Sequence, residues 1–266
     1  MHNLAFRGLR LPRLGAMRGG GGGGAASGFD YTQGGALQPV RRHSGEGIST
    51  TGTTQTLAEL IGSGAPPFLQ TDSNKHLITG ENNGVKWIQG ASTGVESTEK
   101  YMTTSSVFEA ADTDMFALVS PSTGFDHFMG QIDSNKRWGI RDGSLRSTGF
   151  MGSGNVTGNE THAAGEWFIL HARWIGNGAC FIKSYGYGAD GQSATWGDVD
   201  AISFTTTTTT QPAQVIMGSY YQSLEGSNTK AVEALVYSHS ARTPAVSEYD
   251  PIIAYLKAQQ DQLEGR

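Results

Sequence analysis

The sequence predicts an all-β protein: an antiparallel β-sandwich with an extended N-terminal arm and a short C-terminal helix. Three observations predict it. From Phe68 onward, short runs of β-branched and aromatic residues alternate with Gly, Asn, Asp and Ser clusters, as strands joined by tight turns do. The 266 residues include 38 glycines, which many turns between many short strands would use. A single stretch near the C-terminus carries a convincing helical apolar period.

The arm is residues 1–28. Leu4, Phe6, Leu9, Leu11 and Leu14 are interleaved with Arg7, Arg10, Arg13 and Arg18 on neither a helical nor a strand period, and Pro12 interrupts them. Gly19 to Gly24 is a flexible tether. It is not a phosphate loop, because the Gly-Lys-Ser/Thr ending is missing. Residues 29–65 are rich in Gly, Ser and Thr and read as a linker passing into the domain, with Leu57 to Ile61 fit for one helical turn.

The body is residues 66–266. Asp72-Ser73-Asn74-Lys75 and Asp133-Ser134-Asn135-Lys136 are identical polar tetrads between apolar flanks, as hairpin turns require. Glu81 to Gly84 is another turn, leading into Val85-Lys86-Trp87-Ile88. Met115 to Val119 reads as a buried strand stopped by Pro121. Asp126 to Ile132 and Lys136 to Arg141 form a hairpin, and residues 142–166 give a long loop or two short edge strands. Trp167 to Trp174 is the strongest strand, with Phe168, Leu170, Ala172 and Trp174 on one face and Trp167, Ile169, His171 and Arg173 on the other. The turn Ile175-Gly176-Asn177-Gly178 returns the chain through Ala179 to Tyr185. Tyr185 to Asp200 is a loop, and the threonine run Thr205 to Thr210 is an exposed strand or its end. Ala213 to Gly218 and Lys230 to Tyr237 are the last strands. Thr243 caps a turn beginning at Pro244, and Asp250 caps a helix whose first residue is Pro251. Ile252, Leu256, Gln259 and Leu263 share a helix face, with Ile253 and Ala254 beside it, so the helix should fold over one end of the sandwich.

Charge is unevenly placed. Residues 1–42 hold six arginines against Asp30, a balance of +5, which leaves −10 on the rest of a chain whose net charge is −5. A basic arm on an acidic body docks on something acidic, and another copy of the body is the partner we expect ahead of nucleic acid. No apolar run approaches the ~18 residues of a membrane span, so a soluble chain is expected. The lone cysteine, Cys180, excludes an internal disulfide and sits among apolar residues as a small core filler. The N-terminus lacks the apolar core of a secretory signal, and its glycine run and near-absence of serine argue against a transit peptide.

Two motifs of common hydrolases are missing: there is no Glu-x-Asp-x-Glu strand and no His-Glu-x-x-His. Glu225 and Glu233 are too far apart in sequence to be assigned as a carboxylate pair. His127 beside Asp126, and His171 on a strand, suit acid/base work but read first as satisfied surface or edge residues. Asp198 and Asp200 would suit calcium, although an acidic loop is the simpler reading, so no cofactor is expected. Tyr185, Tyr187, Trp196, Tyr220 and Tyr221, with Trp138, fall near loops or strand ends, where aromatics form either subunit interfaces or sugar platforms.

The order of these elements resembles laminin-G-like (concanavalin A-like) jelly rolls over roughly residues 66–260. Lys100-Tyr101-Met102 with Phe108 and Met115 to Val119 is similar to their early strands, Trp167 to Lys183 to their central hairpin, and Val232 to Tyr237 to their closing strand. Pro251 departs from the single unbroken helix of that family and implies a split one. An arginine/leucine segment, then polyglycine, then such a domain also resembles tailed-phage virion proteins. That second resemblance implies a non-enzymatic particle component, localised to the virion as a decoration, fibre or tail-associated protein. Its N-terminal arm would anchor it among other copies and other virion proteins. The alternative is a carbohydrate-binding module for host-surface adsorption.

Overall fold

The computed structural model describes residues 38–266, apart from 63, 92–97, 109–112, 123–125, 132–137, 143–146, 152–153, 158–163, 176–178, 188–196, 206–212, 219–227 and 239–244. The arm, with its leucines and arginines, and Trp196, Tyr220 and Tyr221 lie outside the described residues, as do the second polar tetrad, Gly176 to Gly178 and Thr243-Pro244.

Strands are numbered in chain order. The central sheet runs β15 (Gly197–Thr205), β14 (Ala179–Gly186), β13 (Phe168–Ile175), β8 (Thr113–Ser120), β17 (Lys230–Ser238), β6 (Val85–Gln89) and β5 (Ile78–Asn82), with β1 (Gln38–Ser44) also on β17. The back sheet runs β12 (Gly154–Thr157), β11 (Ser147–Met151), β10 (Trp138–Asp142), β9 (Asp126–Gln131), β16 (Ala213–Met217), β7 (Met102–Phe108), β4 (Phe68–Gln70), β3 (Thr54–Leu57) and β2 (Ile48–Thr51). Every pairing among these strands is antiparallel. The chain is an antiparallel β-sandwich of the jelly-roll type, with one helix, α1 (Asp250–Glu264), among the described residues.

Two apolar layers hold it together. Between the sheets lie Met115, Ala117, Phe168, Leu170 and Val236 from the central sheet and Leu57, Phe68, Met102 and Met217 from the back sheet. On the other side of the central sheet, Phe116, Leu118, Ile169, Leu235 and Tyr237 pack against Ile252, Ile253, Leu256 and Leu263 of α1. This explains why all of β8 is buried: it is covered on both faces. The alternation expected for β13 holds, since Phe168, Leu170 and Ala172 face the inter-sheet core while Trp167 and Ile169 face the helix. The helix therefore lies on the outer face of the central sheet, not over one end of the sandwich.

Several local expectations need correction. Residues 38–57, expected to be linker, form β1, β2 and β3 and are integral to both sheets. Leu57 ends β3, so the helical turn expected at Leu57 to Ile61 does not form. The first tetrad is a 3-10 turn, Ser73–Lys75, with the Asp72 side chain accepting from the Asn74 amide at 3.0 Å. It connects β4 to β5, which belong to different sheets, so it is not a hairpin turn. The helical end begins with a 3-10 turn, Val246–Tyr249, and passes into α1 with Asp250 in the first turn rather than at the cap. Pro251 thus sits where the helix changes type, a split of the expected kind. Tyr255 and Gln260 are buried on α1, while Ala254 is exposed and Gln259 half-buried.

Other expectations match. Asn83-Gly84 is a two-residue hairpin turn with φ of 49° and 82°, the left-handed pair that a tight β-turn of opposite hand to the common one requires. β9 pairs with β10, β13 pairs with β14, and residues 142–166 contribute two short strands, β11 and β12, of which β12 alone is the sheet edge and β11 lies inside it.

Candidate functional site

A pocket of about 50 Å³ opens where α1 meets the outer face of the central sheet. Its floor is built by a β-bulge. The β17 register shifts between Ala231 and Glu233 where it pairs with β8. Ala231 and Ala234 face the inter-sheet core while Val232 faces the helix. Strict alternation would aim Glu233 into the core with Ala231; the bulge turns it to the helix side instead. Across the β1–β17 ladder Ser44 sits opposite Glu233, and Arg42 sits opposite Leu235 on the same outer face.

The Glu233 carboxylate is buried and fully engaged. It takes the Arg42 Nε–H on one oxygen, and on the other the Tyr255 hydroxyl and the Gln259 amide, each at 2.9 Å. Arg42 also donates to the Tyr255 oxygen at 3.2 Å. Three elements thus meet on one carboxylate: β1, β17 and α1. The rim comes from the β5–β6 hairpin, with Gly84 and Lys86, and from Glu46 in the 3-10 turn Gly45–Gly47 after β1. Gln262 bonds the Asn83 carbonyl at 2.8 Å, and Asn83 bonds the Leu263 carbonyl at 3.1 Å, which fastens the hairpin tip to the end of the helix. Lys86 and Glu46 are exposed, and neither has an ion-pair partner within 4.0 Å among the described residues.

A second polar centre lies deep under the start of the helix. Asp114 accepts from His171 Nε2 at 2.6 Å, Arg173 Nε at 2.8 Å and the Tyr249 hydroxyl at 2.5 Å. Burial pushes the Asp114 carboxyl up, but His171 and then Arg173 outweigh burial and hold it below its usual range. Burial, together with Asp114, pushes the Tyr249 phenol up. His171 and Asp114 are both fully buried, so His171 is a core residue on an interior strand, not a surface or edge one. A third buried group, His43 of β1, bonds the Ala58 carbonyl at 3.1 Å through Nδ1 and meets the Phe68 ring edge-on at 4.8 Å. Burial drops its pKa to about 4, and Arg41 adds to that effect.

Of the sequence-predicted aromatics Tyr185, Tyr187, Trp196, Tyr220 and Tyr221, only Tyr185 and Tyr187 fall among the described residues, and both are drawn to α1. Tyr185 is buried against α1 and belongs to the core rather than to a surface platform. Tyr187 is half-buried and tied to the helix: its hydroxyl donates to Asp261 and accepts from Lys257 at 2.6 Å, and Arg266 lies 4.2 Å over its ring. Asp198 and Asp200 lie on β15, not in a loop. No group of three or more His, Cys, Asp or Glu among the described residues is placed to hold a metal. No helix among them is long and apolar enough to cross a membrane.

Sequence reasoning missed Arg42, Ser44 and Glu46 because they stand in a stretch read as linker. The legible signal was the polar side of α1: Tyr255, Gln259 and Gln262 recur at four and three residues and form one stripe.

No protein-family model and no curated protein matches this chain. Among solved structures, a Trypanosoma rangeli sialidase in complex with 2,3-difluorosialic acid aligns with a TM-score of 0.52 at 10% identity, over 85% of this chain and 33% of that one. A GH54 α-L-arabinofuranosidase soaked with 4-nitrophenyl α-L-arabinofuranoside aligns at 0.51 and 10%, over 86% and 64%. Domain 4 of a Geobacillus stearothermophilus GH43 arabinanase, in complex with arabinotriose, aligns at 0.47 and 14%, over 76% and 93%. This chain spans a third of the sialidase and just under two thirds of the arabinofuranosidase. At such identities the likeness is one of fold: these are β-sandwiches of the same broad class.

Proposed function

We propose that this chain is a non-catalytic glycan-binding β-sandwich whose ligand enters the pocket between α1 and the central sheet. The observation that carries the reading is the lining of that pocket. A guanidinium, two carboxylates, an ammonium, a phenol and two carboxamides converge on it. Adjacent sugar hydroxyls present paired donors and acceptors, which planar carboxylates and amides meet two at a time. The solved sandwiches of like fold lend direction, since the sialidase is in complex with a sugar derivative and the arabinofuranosidase was soaked with one. Glycoside hydrolysis is disfavoured because Glu233 is already committed to Arg42, Tyr255 and Gln259, whereas the retaining reaction needs a carboxylate directed at the sugar. The test is retention of the full-length protein on immobilised glycans, with Gln259→Ala alongside. Retention that Gln259→Ala abolishes supports the proposal; passage of the unmodified chain through every column refutes it.

A second reading, compatible with the first, is that residues 1–28 anchor the sandwich to a virus particle. The +5 balance of residues 1–42 against −10 on the remainder supports it. Deleting residues 1–28 should leave a folded body that no longer enters particles; undiminished incorporation would refute that role.

A further inference from the structure

Resting on the glycan reading above, we infer that the pocket accepts one edge of the terminal unit of an uncharged glycan, entered end-on. Size is the first argument. About 50 Å³ holds roughly four water molecules. A sugar ring is larger than that, so two or three hydroxyls along one edge displace the water while the rest of the ring stays outside.

Enclosure is the second argument. An internal unit of a polysaccharide needs a groove open at both ends. Here the Asn83-Gly84 tip is fastened to Gln262 and Leu263, so the β5–β6 hairpin and the last turns of α1 form a closed end wall. A chain end fits against that wall; a continuing chain does not.

Charge is the third argument. Arg42 is neutralised on Glu233, and the free ammonium of Lys86 shares the lining with the free carboxylate of Glu46. Two cations therefore stand against two carboxylates. An acidic sugar finds a lining with no net positive charge and meets Glu46 at the rim. A neutral diol finds a partner for each hydroxyl, and its binding releases few counterions, so it is insensitive to salt.

The test is the full-length protein on an array of neutral, sialylated and sulfated glycans at ~50 mM and ~500 mM salt. The expected result is binding to neutral non-reducing termini that changes less than about twofold with salt. Gln259→Ala and the exposed Lys86→Ala should each weaken it by about tenfold or more. Lys257→Ala, outside the pocket lining, should leave it unchanged. Binding confined to sialylated or sulfated glycans, or lost at high salt, overturns this inference while leaving glycan binding intact. Neutral binding that survives both Gln259→Ala and Lys86→Ala also overturns it. An array with no signal refutes this inference and the proposed function together.

Discussion

Replacing His43 should remove a defined part of the acid sensitivity of the fold. The imidazole is buried beside Phe68, and its pKa falls from 6.5 to about 4 because burial penalises the cation. The folded state therefore favours the neutral ring. Its contribution to stability is fully present above pH 6.5, declines as the pH falls below that value, and is lost once the pH has passed through the folded pKa near 4. A shift of this size corresponds to about 3 kcal/mol, and the slope approaches ~1.4 kcal/mol per pH unit midway. Asp114 and the other carboxylates titrate in both proteins, so their effects cancel in the difference. His43→Gln keeps an amide donor for the Ala58 carbonyl and does not titrate. The assay is urea unfolding, followed by tryptophan fluorescence, of both proteins from pH 7 to pH 4. The stability difference between them should change by about 3 kcal/mol across that range, in the variant's favour at the acid end. A difference that stays constant to within ~0.5 kcal/mol would refute the argument that His43 is held neutral by burial.

Other outcomes follow from the same geometry. Glu233→Ala leaves the Arg42 guanidinium without its buried partner and should cost about 3 to 5 kcal/mol in urea unfolding; pairing it with Arg42→Met should recover part of the loss. Gly80→Ala would set a methyl carbon 2.1 Å from Trp87 Cζ2, so the indole must swing away. The cost should be about 1 to 3 kcal/mol, with a red-shifted tryptophan emission as its signature. Tyr187→Phe removes hydroxyl contacts to Asp261 and Lys257 at a half-exposed site, and thermal unfolding should register under ~1 kcal/mol.

The parts of the fold that were legible in the sequence are those held by apolar alternation or turn chemistry. β13 announced both its faces, and Asn83-Gly84 announced its turn. β1 did not announce itself. Its sequence, Gln-Pro-Val-Arg-Arg-His-Ser, carries a single aliphatic residue, and what seats it is the Arg42–Glu233 pair and the His43–Ala58 bond. Those partners lie 191 and 15 residues away, beyond the reach of any local pattern. The same holds for the pocket. Its floor depends on a register shift in β17, and a bulge leaves no trace in Val-Glu-Ala-Leu-Val. The covering of the central sheet was readable in principle, because β8 and β17 are apolar on both faces and so demand a layer on each side.

The position of β17 has a consequence for how the molecule is made. One of its edges pairs with β8, and the other is shared by β6 and β1, so Gln38 is matched with Ser238 across 200 residues. During synthesis, β8 leaves the ribosome more than a hundred residues before β17, one of the two strands that will sit beside it. The nascent chain must keep that edge of the greasy ribbon from sticking elsewhere until β17 has been made. Stalled or prematurely terminated products should therefore be the aggregating species, and a chaperone that holds the emerging polypeptide should raise the yield more than one that acts after release.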